Sequence, residues 1–315
     1  MDDPICWSDT GIAEDAFWRY VREQIYTLPG VQRPEDAFTV LLTGSRDVGA
    51  QTPRSDVDID VICAEPVFHS VHAAAFASGL IRSSSSFYLV APETEWEQYF
   101  GANRGRPHIS VTSIEEVKRQ FRDFEDVPLW IWTRAKIAHD PGHRFHDIVQ
   151  TFRGYPHDVL VRRIKYRALL AWYWDVDVFP HHERSDDRLL AASTAVLNSI
   201  NEFLRLFFFV EGSPFPYTEQ LWALSRTTRL GHQFGGMFKK AVDLVTGNAS
   251  PEMSAWDRIC AAHTMLCCSD LSEECRRLDE AVDKAMLAAG VEPEWVAAGY
   301  SNIDELTLGS LGPPP

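Results

Sequence analysis

Residues 41–63 read LLTGSRDVGAQTPRSDVDIDVIC, and this stretch decides the fold of the chain. The apolar run at 38–43 predicts a short strand that ends at Gly44 and Ser45. Residues 57–63 alternate acidic and apolar side chains, as a half-buried strand does. The pattern therefore predicts two consecutive strands joined by a loop that carries a second glycine.

Three aspartates follow one face of the second predicted strand. Side chains two apart on a strand share a face, so we expect Asp56, Asp58 and Asp60 to project together, about 7 Å apart per step. Such a row of like charges is destabilising unless solvent or a cation compensates it, and carboxylates on a rigid strand suit Mg²⁺ that bridges substrate phosphates. Gly44 would let a ligand approach the backbone, while Ser45 and the N–H groups after it would receive the terminal phosphates.

The same residues resemble the polymerase-β-like nucleotidyltransferase superfamily. Its signature is an apolar strand, Gly-Ser, about ten residues and then Asp-x-Asp on the next strand. The match is Gly44-Ser45 and the Ser-Asp-x-Asp at 55–58, a form typical of the small-molecule and minimal branches. The resemblance implies that Asp56 and Asp58 are catalytic metal ligands, and that a nucleoside monophosphate moves from an NTP, by analogy ATP, to an acceptor hydroxyl with release of pyrophosphate.

Further residues are candidate contacts of the nucleotide. Ser55 opens the matched Ser-Asp-x-Asp. Arg46 directly follows the Gly-Ser pair and is within reach of triphosphate oxygens as a charge-assisted donor, or else it is an ordinary surface arginine. These assignments extend the expected phosphate site to both ends of the loop.

A basic run interrupts the acidic chain in its second half, formed by Arg162, Arg163, Lys165 and Arg167. If the helix that carries it lines a cleft, Lys165 would contact phosphate. The alternative is that the whole run is a solvated helix face.

One position departs from the superfamily pattern. The superfamily supplies a third metal-binding carboxylate from a later strand, but the candidate strand holds His108 and Ser110 on the face where that acid belongs. Neither is a good Mg²⁺ ligand. Asp60, or Glu93 or Glu95 from the preceding loop, are alternative third ligands. Two functions stay open: an active transferase, and a catalytically degenerate nucleotide-binding regulatory protein that lacks the third carboxylate.

The periodicity changes along the chain. Strands are predicted at 38–43, 57–63, 86–90 and 108–112, whereas long segments of helical period begin near residue 158. We therefore expect an α+β fold, with a nucleotidyltransferase-like mixed sheet and flanking helices followed by an all-helical domain. The expected boundaries are 1–150 for the first domain, 151–308 for the second and 309–315 for a flexible tail.

The second half resembles an uncharacterised helical domain found behind such nucleotidyltransferase domains. Short matches include Leu129-Trp130, Tyr155-Pro156 and the Arg-x-Asp triplet that ends at Asp186. This triplet makes Asp186 the candidate base for the acceptor hydroxyl. The alternative is that the acids before the next helix are N-terminal capping and dipole partners.

Composition limits the partners. The formal charge is −15, from 30 Lys and Arg against 45 Asp and Glu, which disfavours an extended nucleic-acid surface and favours a nucleotide with a small-molecule or protein acceptor. The apolar stretches are shorter than the roughly 20 residues of a membrane span, and no secretory pattern opens the sequence. Six cysteines without paired metal-site spacing fit a reducing compartment, so we expect a cytoplasmic protein.

Overall fold

The structure is a computed structural model that describes residues 5–44, 55–81, 88–89, 96–101, 106–179, 186–266 and 273–307. The chain divides into two compact units, Met1–Arg153 and Gly154–Pro315. The first contains a mixed sheet with flanking helices, and the described part of the second is helical. The expected α+β fold class is therefore confirmed. The tail at 309–315 lies outside the described residues.

The sheet of the first unit has five strands in the order β3-β4-β2-β1-β5. The strands are β1 (Thr39–Thr43), β2 (Val57–Cys63), β3 (Tyr88–Leu89), β4 (Pro107–Ser113) and β5 (Lys136–His139). Among the described strands, β2 and β4 pair in parallel, and the other three neighbouring pairs are antiparallel. The sequence pattern predicts four of these strands and misses β5. The four residues of β5, Lys-Ile-Ala-His, do not alternate between polar and apolar types, and in the structure all four are half-buried.

The register brings the chemistry-bearing residues to one end of the sheet. Thr43 pairs with Asp58 across the antiparallel β1 and β2, and Asp58 pairs with His108 across the parallel β2 and β4. Two residues further along the same strands, Asp60 pairs with Ser110. Since β1 ends where β2 and β4 begin, the end of the first strand and the starts of the other two lie side by side.

Eight α-helices surround this sheet in the described part of the first unit. They are α1 (Trp7–Thr10), α2 (Glu14–Tyr20), α3 (Pro34–Ala37), α4 (Glu65–Ala77), α5 (Glu97–Phe100), α6 (Ile114–Arg122), α7 (Asp126–Trp132) and α8 (Arg144–Thr151). A π-helical turn, Val21–Ile25, continues α2, and a 3-10 turn, Pro141–His143, precedes α8.

The core of the first unit lies on the face of β2 opposite its aspartates. Val57, Ile59 and Val61 are at most 1% exposed and belong to one apolar cluster with Phe17 of α2 and Ile25 of the π-helical turn. Burying one such side chain contributes about 1.5–3 kcal/mol. This burial fixes the register, because a one-residue slip of β2 would turn its aspartates into the core.

The second unit contains eight further α-helices among its described residues. They are α9 (His157–Trp172), α10 (Leu189–Phe209), α11 (Thr218–Ser225), α12 (Arg229–Thr246), α13 (Ala255–Thr264), α14 (Glu273–Ala288), α15 (Pro293–Ala298) and α16 (Ile303–Thr307). A π-helical segment, Tyr173–Val178, continues α9, and short 3-10 turns lie at Asp186–Arg188 and Gly299–Asn302.

The helix α12 begins earlier than its apolar period suggests. It starts at Arg229 because Thr228 caps it, with its hydroxyl accepting a hydrogen bond from the Gly231 N–H at 3.0 Å. Across the described segments, we find no helix with the length and apolar character of a bilayer span.

Candidate functional site

Gly44 of the Gly-Ser pair and Asp58 of the Asp-x-Asp pattern meet at the end of β1. Gly44 follows β1 directly, has a positive φ of 76° and is buried. A Cβ at this position would lie 2.8 Å from Cγ of Asp58, and closer still to one of its carboxylate oxygens. Only glycine fits, because both the backbone conformation and the neighbouring carboxylate exclude a side chain.

Asp58 is a partly exposed aspartate whose pKa is raised by its surroundings in the sheet. Its side chain is 30% exposed. The pKa of Asp58 is raised to about 6, chiefly by burial; the neighbouring His108 lowers it, and the charges of Asp60 and Asp56 raise it. Asp58 therefore releases its proton close to neutral pH, in contrast to an ordinary surface aspartate.

His108 lies beside two aspartates of the pattern. Its Nδ1 is 3.4 Å from Oδ1 of Asp58, and its Nε2 is 3.7 Å from Oδ2 of Asp56. The expectation that His108 and Ser110 share the face of the aspartates is thus confirmed by the register and by these contacts. When protonated, the imidazolium contributes a positive charge next to both carboxylates.

Asp60 has a different environment from the other two aspartates. Thr43 donates a hydrogen bond from Oγ1 to Oδ2 of Asp60 at 2.6 Å, and Ser110 donates from Oγ to Oδ1. Burial raises the pKa of Asp60, and both hydroxyl donors oppose that rise. Both carboxylate oxygens are therefore engaged by neighbouring strands, and Thr43 is a site residue that the sequence alone did not reveal.

The donor set permits a test of whether Mg²⁺ fits. Mg²⁺ keeps several waters and is commonly held by one or two carboxylates together with substrate phosphates. Asp56 and Asp58 supply two such carboxylates, with side chains 44% and 30% exposed. Within the residues that the structure describes, no group of three or more His, Cys, Asp or Glu side chains is arranged to hold a metal. The chain thus offers two carboxylates that suit Mg²⁺, and phosphates or water would supply the other ligands.

Several predicted site residues lie outside the described part of the chain. These are Ser45, Arg46, Glu93 and Glu95. Ser55 is described, and it is a half-buried residue two positions before β2.

Lys165 and Asp186 are the candidate site residues of the helical unit. Lys165 on α9 forms an ion pair with Glu292, Nζ to Oε2 at 2.7 Å, and its Nζ is 5.2 Å from the ring centroid of Trp295. The backbone of Asp186 begins the 3-10 turn before α10, and its side chain is outside the described part. Lys165 therefore already has a carboxylate partner in its own unit.

The interpretation of the basic run as a solvated face is wrong for two of its members. Arg162 is exposed, but Arg163 and Arg167 are only 5% and 9% exposed. Both buried arginines pack against aromatic rings, which compensate part of the cost of burying a guanidinium. Helical periodicity counts arginine as polar and so does not reveal this burial.

Comparison with known proteins gives a weak structural likeness. No protein-family model and no curated protein matches this chain. Among solved structures, it is similar to the crystal structure of a nucleotidyltransferase-like protein from Exiguobacterium sibiricum 255-15, with a TM-score of 0.40 and 14% identity. The match covers 95% of this chain and 89% of that one. Similarity at this level establishes neither a common fold nor an activity.

Proposed function

We propose that this chain is a Mg²⁺-dependent nucleotidyltransferase that moves a nucleoside monophosphate from an NTP, by analogy ATP, to a hydroxyl of a small molecule or protein. The observation that supports this proposal is the packing of Gly44 against Asp58 at the shared end of β1 and β2. A glycine with no room for a side chain, packed against one of two partly exposed carboxylates, suits a site where phosphates approach the backbone.

Each proposed residue has its own role in the reaction. The acceptor oxygen forms a bond to the α-phosphorus, the bond to pyrophosphate breaks, and the hydroxyl proton leaves to a base, for which Asp186 is the candidate. Bound Mg²⁺ would neutralise charge on the phosphates, held by Asp56 and Asp58. Gly44 would leave the backbone accessible to the phosphates, with Ser45, Arg46 and Ser55 as proposed contacts.

A second candidate function is metal-dependent nucleotide binding without transfer. His108 favours it, because an imidazole contacts Asp56 and Asp58 where the superfamily places a third carboxylate. Hard oxygen ligands suit Mg²⁺ better than imidazole nitrogen does. Such a chain would sense a nucleotide and act through a partner.

Thermal unfolding tests the shared part of both candidates. The full chain is unfolded with each of the four NTPs, with and without Mg²⁺, next to the Asp56→Ala/Asp58→Ala double variant. A ligand that binds only the folded chain stabilises it by about 2.7 kcal/mol at a concentration of 100 Kd. We expect Mg²⁺-dependent stabilisation by at least one NTP in the wild type and not in the double variant. Asp147→Ala, which removes a carboxylate that is 77% exposed, is the matched control and keeps the response. The absence of a shift with every NTP contradicts both candidates.

A variant at His108 separates the two candidates. His108→Asp restores a carboxylate at the third position, and His108→Ala removes the imidazole without adding one. Binding is followed with Mn²⁺ by electron paramagnetic resonance, and turnover by pyrophosphate release from the NTP. The transferase predicts measurable release by the wild type. Release by His108→Asp alone supports the nucleotide-binding protein and contradicts the transferase.

A further inference from the structure

A cluster of buried arginines lies within the helical unit, between α9 and α10. Arg167 on α9 is 9% exposed, and its NH1 donates to Oε2 of Glu202 on α10 at 2.8 Å. Arg205, one turn further along α10, donates from its NH1 to Oε1 of the same glutamate. Two guanidinium groups thus share one carboxylate.

An aromatic ring holds both guanidiniums in place. The Cζ atoms of Arg167 and Arg205 lie 5.1 Å and 5.4 Å from the ring centroid of Phe215. Phe215 itself packs edge-on against Phe209, with ring centroids 5.4 Å apart. Phe215 is 5% exposed, so these cation–π contacts are largely shielded from water.

The two guanidiniums keep most of their hydrogen-bonding capacity. Each carries five N–H donors, and in the described part of the chain each donates a single hydrogen bond, to Glu202. The Nε atoms of Arg167 and Arg205 are buried without a hydrogen-bond partner among the described residues. Buried donors of this kind are costly unless an acceptor reaches them.

The net charge of the cluster also favours an anionic ligand. Arg167 and Arg205 against Glu202 leave one excess positive charge in an interior position of a chain whose formal charge is −15. Arg163, one turn before Arg167 on α9, adds a third guanidinium, which lies over the rings of Tyr155 and Phe209. Adjacent guanidinium forks match the oxygens of carboxylate and phosphate groups.

We propose that Arg167 and Arg205 form a binding site for an oxyanion, the phosphate or carboxylate group of a small molecule. Glu202 accepts a hydrogen bond from each guanidinium and so competes with an incoming oxyanion, and Phe215 packs against both guanidiniums. The Arg205 side chain, which is 21% exposed, gives the group its route from solvent. All the residues of this site belong to the second unit.

Anion-dependent stability tests this proposal. Thermal unfolding of the full chain is measured in increasing sodium phosphate and, in parallel, sodium acetate, with sodium chloride at matched ionic strength as the reference. We expect at least one of the two oxyanions to stabilise the wild type in a saturable way. The oxyanion with the higher apparent affinity shows whether the site prefers a phosphate or a carboxylate group. Phosphate also stabilises proteins by exclusion from their surface, but that effect does not saturate and is common to all variants.

Three variants test whether oxyanion binding depends on the residues of the cluster. Arg205→Gln removes a partly exposed guanidinium and should weaken apparent oxyanion affinity about tenfold or more, as expected for loss of a charge-assisted contact. Glu202→Gln removes the competing negative charge and should strengthen the affinity. Arg162→Gln changes an exposed arginine on α9, the helix that carries Arg167, and should leave the affinity unchanged.

Two results would overturn the proposal. The first is an equal response of the wild type, Arg205→Gln and Glu202→Gln, which is the result expected of a purely structural ion pair. The second is loss of the oxyanion response in Asp56→Ala/Asp58→Ala, which would place binding at the strand ends. If Arg205→Gln does not fold, Glu202→Gln tests the proposal alone. A gain in its oxyanion affinity supports the binding site, because a purely structural ion pair predicts no such gain.

Discussion

Gly44 and Asp58 lie so close together that the carboxylate of one takes the space a side chain of the other would need. The contact joins the residue after β1 to the first paired aspartate of β2. It depends on the positive φ of Gly44, which aims the missing Cβ at Asp58. The two halves of the sequence pattern are therefore a single structural unit, although 13 residues separate them along the chain.

Gly44→Ala should destabilise the fold by more than its backbone conformation alone requires. A non-glycine residue at positive φ costs about 1–2 kcal/mol. Gly79→Ala is the matched control, because Gly79 has the same φ of 76° and nothing lies within 4 Å of a Cβ there. Urea unfolding should show a larger loss for Gly44→Ala than for Gly79→Ala, together with loss of any NTP response. Equal losses would show that the contact with Asp58 is unimportant.

The stability of the chain should depend on pH through Asp58. Its pKa is raised from 3.8 to about 6, so the folded state binds this proton more tightly than the unfolded chain does. The stabilisation from this group is complete below about pH 3.8 and is lost as the pH rises through about 6. Urea unfolding from pH 4 to 8 should therefore show the wild type losing stability relative to Asp58→Asn. Parallel curves for the two proteins would contradict the raised pKa, and Asp147→Asn serves as the exposed control.

The hydroxyl donors of Asp60 should be needed for stability. Thr43→Val or Ser110→Ala leaves one oxygen of a buried carboxylate without its described donor, a change that typically costs about 1–3 kcal/mol. Both donors lower the pKa of Asp60, so their loss raises it and the damage should be smaller at pH 5 than at pH 8. Thr112→Val is the control on the same strand, since the Thr112 hydroxyl makes no hydrogen bond in the described structure. A loss in Thr112→Val as large as in the other two would refute this role.

Cysteine labelling should separate the buried thiol of β2 from the exposed one near the N-terminus. Burial raises the pKa of Cys63 to about 12, which leaves about one thiol in ten thousand ionised at pH 8. Cys6 is exposed. Treatment of the native chain with N-ethylmaleimide, followed by peptide mass spectrometry, should find Cys6 modified well before Cys63. In urea the difference should disappear, and equally fast labelling of the folded chain would contradict the burial of β2.

The sequence predicts the strand end well because the simple two-residue alternation of a strand governs it. Alternation gave the bounds of β2 correctly and placed His108 on the face of the aspartates. Alternation does not reveal which side chains of neighbouring strands lie diagonally opposite. The donors Thr43 and Ser110, which engage Asp60, follow from the pairing register and are visible only in three dimensions.

The helical unit shows a different limit of sequence analysis. The helices themselves follow from their apolar period, but a polar residue type does not report its own burial. Arg167 is buried because Glu202, 35 residues further along the chain, and Phe215 meet it from other segments. Short final helices such as α15 carry too few apolar positions to show a period, and they were not predicted.

The pairing of distant strands also sets an order of events in folding. β1 and β2 are close in sequence, but β4 joins β2 about 50 residues later, and β5 closes the other edge of β1 almost 100 residues downstream. Contacts between distant segments form slowly, because the chain must lose loop entropy before they contribute. During synthesis, the aspartate row therefore emerges before two residues of β4 that contact it, His108 and Ser110. Thr43 of β1 is made before the row, so the contacts of the aspartates come from parts of the chain synthesised at different times.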